Sequence, residues 1–124
     1  MENEAFFFDK RLDTEYLETI YEGDKDYAAV VFEQFLLSYP EQIAAINESF
    51  AQQNIVAYKG NIHKIKATFS FVGLTTLTSL AEIIEKNCGE NYDINTLSTL
   101  HIDFKNNLLE LIPIVEEELK KLQA

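Results

Sequence analysis

The chain has 124 residues and a formal charge of −11, with ten Lys and Arg against 21 Asp and Glu. That surplus of acid argues against nucleic acid as a partner, because phosphate backbones select for dense Lys and Arg. The single cysteine, Cys88, cannot close an internal disulfide, and no run approaches the roughly 20 apolar residues of a membrane span.

The length fits one domain over residues 1–124, with a core that needs neither metal nor disulfide to hold it. The opening "MENEAFFFDK" places acids before a very short apolar run. A signal peptide needs the opposite charge and a longer run, so a cytoplasmic protein is expected. The apolar pattern then has helical period nearly throughout. A short first helix is expected over 14–21, where "LDTEYLETIY" supplies Leu12, Leu17, Ile20 and Tyr21. A second starts near Lys25 and runs past Phe35 and Leu37. Pro40 either kinks it or opens a new helix, and Ile43, Ile46 and Phe50 continue in phase.

The third helix, about 55–71, has the clearest stripe: Ile55, Tyr58, Ile62, Ile65, Phe69 and Val72 alternate steps of three and four. Gly73 fits its C-terminal cap. A fourth helix, ending near Asn87, carries Leu77, Leu80, Ala81, Ile84 and Cys88 on one face. The last runs over about 94–122, with Leu97, Leu100, Phe104, Leu108, Leu111, Val115, Leu119 and Leu122 in phase across Pro113, which implies a kink and not a break. The expected fold is all-α: an antiparallel four-helix bundle with a short additional N-terminal helix.

The charge is unevenly placed. Residues 49–81 contain no Asp or Glu but hold Lys59, Lys64, Lys66 and one of the two histidines, His63. At 100° per residue His63 falls roughly 130° from the apolar stripe, so it should project to solvent. Its neighbours three, four and seven residues away are Lys59, Gly60, Lys66, Ala67 and Ser70. Gly60 is costly inside a helix, by about 1 kcal/mol relative to Ala, and clears space beside the imidazole. The plainer alternative is an ordinary surface histidine, with Gly60 marking the start of the helix. Other chemistries lack their residues. The Glu-x-x-His pairs of a carboxylate-bridged metal bundle are absent, since Gly60 and Ser98 stand three before the two histidines. Zinc ligation has no clustered spacing. A hydrolytic triad has no orienting base, and no Gly-rich phosphate loop exists for ATP. Nucleophilic group transfer remains: neutral imidazole attacks phosphorus while a nearby ammonium balances the charge. His101 reads as an ordinary residue near the start of the last helix, and Cys88 as core.

At these residues the chain resembles the histidine phosphotransfer (HPt) family, whose pattern is His-x-x-Lys-Gly with a second glycine ten residues after the histidine. His63, Lys66 and Gly73 match it, and Ala67 stands where the family has glycine. An opening "FD" (Phe8, Asp9) and "LAEIIE" in the fourth helix extend the likeness over nearly the whole chain. The resemblance implies that His63 is phosphorylated, at Nε2, and that Lys66 offsets the phosphoryl charge. It implies a relay between receiver-domain aspartates, with response-regulator receiver domains and a hybrid sensor histidine kinase as partners. It also implies a monomer with no cofactor, no metal and no ATP site of its own. Glu85 matches a position from which chemotaxis-kinase-type members orient the imidazole; its alternative is a solvated helix residue. Lys59 and Lys64 would steer an acidic receiver pocket, or only solubilise. With Gly60, Ala67, Ser70, Phe71 and Gly73 they make the expected partner-binding surface. Two rival functions stand beside the relay: the phosphate-accepting domain of a chemotaxis-type kinase, and a helical adaptor that binds a receiver without phosphotransfer.

Overall fold

The computed structural model describes residues 6–124. They form five helices and, among the described residues, no strand: α1 (Thr14–Tyr21), α2 (Lys25–Ala51), α3 (Ile55–Phe69), α4 (Thr75–Lys86) and α5 (Ile94–Gln123). Four of the five begin on an Asp or Asn whose side chain accepts a backbone N–H of the first turn. Asp13 accepts from Tyr16, Asp24 from Tyr27, Asn54 from Ala57 and Asp93 from Asn95. Each such cap satisfies a donor that the helix cannot, and contributes about 1 kcal/mol.

Helix α2 packs on α3, α3 on α4, α4 on α5, and α5 back on α2, which closes the bundle. Helix α1 lies against α2 and the turn after α3, and caps one end. Ile55, Tyr58, Ile62, Ile65, Phe69 and Val72 are all buried, as the stripe predicts. In α4 and α5, Leu80, Leu100, Leu111 and Leu119 are only half-buried. Cys88 is buried, and burial pushes its thiol pKa up.

Helix α2 is one helix, continuous through Pro40, and α5 is continuous through Pro113. Each proline removes a hydrogen bond and crowds the preceding turn, at about 3 kcal/mol. Both rings are exposed, and buried side chains on either side (Phe35 and Ile46 in α2, Ile112 and Ile114 in α5) hold the helices together.

The α-helical part of α3 ends at Phe69, two residues earlier than the pattern suggests, and tightens into a 3₁₀ turn over Ser70–Val72. The reason is the stop at Gly73, where φ is 75°. The Gly73 N–H donates to the Ser70 carbonyl and the Leu74 N–H to the Phe69 carbonyl. Buried Phe69 and Leu74 complete this Schellman-type cap. Gly73 is itself buried: an added Cβ would lie 2.7 Å from Leu17 Cδ1 and 2.9 Å from Leu12 Cβ. It therefore offers no surface to a partner, contrary to its expected place on one. Its carbonyl accepts the Asp13 N–H at 2.8 Å, which joins this turn to the start of α1.

His101 also departs from expectation. It is 7% exposed, it lies opposite the Tyr58 hydroxyl (2.9 Å from Nδ1), and its ring stacks on Phe50 with centroids 4.4 Å apart. Burial, with Lys105 adding repulsion, lowers its pKa from 6.5 to about 4. Glu118 is a second buried polar group: one carboxylate oxygen accepts the Asp9 N–H at 2.7 Å and the other lies 2.9 Å from Lys121 Nζ. Phe8, of the same N-terminal stretch, stacks on Phe32. The "FD" pair is thus an anchor of the N-terminal segment.

Candidate functional site

Ile62 and Ile65 point into the core, and the intervening His63 is turned to solvent, midway along α3, with its side chain 72% exposed. On α4 the buried residues are Leu77, Ala81 and Ile84. Glu85, next to Ile84, therefore emerges at the seam between α4 and α3. Its side chain is mostly covered, 13% exposed, and its Oε1 lies 2.6 Å from His63 Nδ1. Its other oxygen accepts from Lys66 Nζ at 2.5 Å. Burial alone would raise the Glu85 pKa, but the hydrogen bonds from Lys66 and His63 outweigh it and hold the carboxyl below its usual range. An ionised carboxylate can only accept. In the neutral ring the proton therefore sits on Nδ1, and Nε2 presents its lone pair outward.

The Glu85 side chain thus lies against both His63 and Lys66 and is largely covered. Lys66, one turn from His63, is 23% exposed and engaged with Glu85. Lys59, Gly60, Lys64 and Ala67 are exposed around the imidazole, Ser70 is half-buried, and Phe71 is 46% exposed. The Phe71 carbonyl accepts the Tyr21 hydroxyl at 2.6 Å, which ties the lower edge of this face to α1. Two residues before His63, Asn61 donates to the Ala45 carbonyl (3.2 Å) and the Ser49 hydroxyl (3.3 Å), fixing α3 against α2.

The structure separates the two lysines that sequence reading grouped. Lys64 faces α2, in a shallow cleft with Glu41, Gln42, Ala45 and Asn61. Lys59 faces α4, in an open cleft of about 350 Å³ lined also by His63, Lys66, Glu82, Glu85 and Lys86. Glu82 and Lys86 are new members of the site. They stand four residues apart on one flank of α4, and they join the site only because α4 is set against α3. Among the described residues no three His, Cys, Asp or Glu side chains converge as a metal site would require, and no helix is long and apolar enough to cross a membrane.

The arrangement is a solvent-facing imidazole, a carboxylate against its Nδ1, and cations around it. A family model described as "Hpt domain" matches residues 30–124. The chain belongs to the Hpt domain family. Histidine phosphotransfer in phosphorelays is the chemistry of Hpt domains, and the all-helical bundle is their fold. The match spans most of α2 and all of α3, α4 and α5; α1 and the segment before it precede it. Comparison with curated proteins and with solved structures yields no significant match.

Proposed function

We propose that His63 is the phosphorylated residue and that the protein relays a phosphoryl group between receiver-domain aspartates. The observation that carries this is the 2.6 Å contact between His63 Nδ1 and Glu85 on a ring that is otherwise exposed. The Nε2 lone pair attacks the phosphorus of an aspartyl phosphate. The P–O bond to the aspartate breaks, and that carboxylate leaves with the electron pair. The ring becomes a phosphoimidazolium, whose positive charge is shared through Nδ1–H with the Glu85 carboxylate. Transfer onward is the reverse: the next aspartate attacks phosphorus and the imidazole leaves neutral. The acid-free helix α3, with Lys59 and Lys64 exposed beside His63, suits the approach of an acidic receiver pocket, which the net charge of −11 would otherwise repel.

The test is incubation with a labelled, phosphorylated receiver domain. Label should move to the protein as an acid-labile, base-stable phosphoramidate, and His63→Gln should abolish it while leaving the helical signal unchanged. Label retained in that variant places the acceptor elsewhere. ATP alone should label nothing.

The placement of Glu85 also favours a second reading. A carboxylate on the imidazole is the arrangement of the phosphate-accepting domain in chemotaxis-type kinases, which an ATP-bound catalytic domain charges. Labelling by such a kinase domain with ATP, and none by phosphorylated receivers, decides for it.

A further inference from the structure

The two sides of His63 differ in charge. Toward α2 stands Lys64, with Glu41 in the same cleft. Toward α4 the open cleft holds three lysines, Lys59, Lys66 and Lys86, against two carboxylates, Glu82 and Glu85. These three are not equivalent. Lys66 is largely covered and already answered by Glu85 at 2.5 Å. Lys59 and Lys86 are exposed, come from two different helices, and form no ion pair among the described residues. Gly60, next to Lys59, leaves the adjoining space open, since an added Cβ would meet nothing within 4 Å.

A phosphoryl group arriving at Nε2 carries close to two negative charges, spread over three oxygens. The Glu85 carboxylate, 2.6 Å from Nδ1 of the same ring, repels it. Lys66 already commits one of its three donors, and its position, to the Glu85 carboxylate. Two unengaged ammonium groups already line the cleft. The geometry points to Lys59 and Lys86 as the pair that meets the oxygens of the incoming phosphoryl donor. Lys86, outside the His-x-x-Lys pattern, then selects for a dianionic phosphoryl group, and Lys59 acts on the reacting group itself, beyond any steering of a partner. This assignment rests on His63 being the phosphoacceptor.

A small donor without a protein surface separates contact with the phosphoryl group from docking. Phosphoramidate serves: Nε2 attacks phosphorus, the N–P bond breaks, and ammonia leaves with the electron pair while Nδ1–H stays shared with Glu85. Wild-type protein should label on His63. Lys59→Ala and Lys86→Ala should each lower the second-order rate roughly three- to tenfold, and the double variant more than either. Lys86→Arg should restore most of the rate, and Lys120→Ala, outside the cleft, should match wild type. Wild-type rates in both single alanine variants overturn the proposal, as does failure of phosphoramidate to label His63. Neither result touches the function proposed above, which transfer from a phosphorylated receiver decides. Label retained in His63→Gln would instead sink that assignment.

Discussion

Glu85 gives one carboxylate oxygen to His63 Nδ1 and the other to Lys66 Nζ. Removing it should therefore disturb two groups at once. In wild-type protein, nitrogen NMR of the His63 ring should report the Nδ1–H tautomer; in Glu85→Ala it should report a mixture. Phosphotransfer should slow in parallel, and Glu85→Gln, which can still accept through its amide oxygen, should fall between the two. An Nδ1–H tautomer that survives in Glu85→Ala would show that the carboxylate does not set it. The lysines divide by reach. Lys66→Ala should slow transfer at every salt concentration, because it frees the carboxylate that contacts the ring. Lys64 lies on the α2 side and has no contact with the Glu85 network, so Lys64→Ala should slow association chiefly at low salt. Charges on the surface are screened over about 8–10 Å at physiological ionic strength. Stopped-flow transfer across a salt series reads both, and a Lys64→Ala deficit that is unchanged by salt would mean direct contact.

At the scale of elements, two glycines make opposite predictions. Gly73 has φ of 75° and no room for a Cβ, with Leu17, Leu12 and the Asp13 nitrogen all within 3.0 Å of it. Gly73→Ala should destabilise by about 2–4 kcal/mol, from left-handed backbone strain and overpacking together. Gly60 is in a helix interior with open space around it, so Gly60→Ala should stabilise by about 1 kcal/mol. Urea unfolding measures both, and equal effects of one sign would refute this account of their roles. Their difference also shows what the sequence could display. The stripe of α3 was legible because every member is apolar and the spacing is regular. The buried members of α5 were legible only where they were apolar. His101 is four residues after Leu97 and three before Phe104, and Glu118 is three after Val115 and four before Leu122. Their spacing marked them as core, but their polarity hid them. What makes them core is a partner on a distant element, the Tyr58 hydroxyl for one and the Asp9 N–H for the other. No local pattern displays such a partner. Lys86 and Glu82 escaped for the same reason: they join the site only once α4 is set against α3. The motif lysine was legible as a residue, but its engagement with Glu85 was not.

Across the whole molecule, aromatic rings pack at three levels: Phe8, Tyr21 and Phe32 beside α1, then Phe35, Phe69 and Phe104, then Phe50, Tyr58 and His101. The third level includes the only titratable imidazole in the core, which gives stability a pH dependence of definite sign. The folded chain holds His101 at about 4, while the unfolded chain takes up a proton near 6.5. Its contribution is therefore present above pH 6.5 and is lost as pH falls through that window, by up to about 3 kcal/mol. The urea midpoint should drop between pH 7 and pH 4. A double variant, Tyr58→Phe with His101→Phe so that no buried hydroxyl loses its partner, should drop less. An identical profile in that variant would exclude His101 as the source. The contact of Asp9 with Glu118 has a consequence of a different kind. It brings the first described residues of the chain beside the last turns of α5, with Phe8 and Leu122 lining one cleft. The backbone path is thus nearly a closed circuit, and the order in which its helices are strung is a matter of where the circuit is cut. A chain of residues 6–124 rejoined by a short Gly-Ser bridge from Ala124 to Phe6, and opened instead in the exposed loop 89–92, should fold to the same bundle and accept phosphoryl on His63 as the uncut order does.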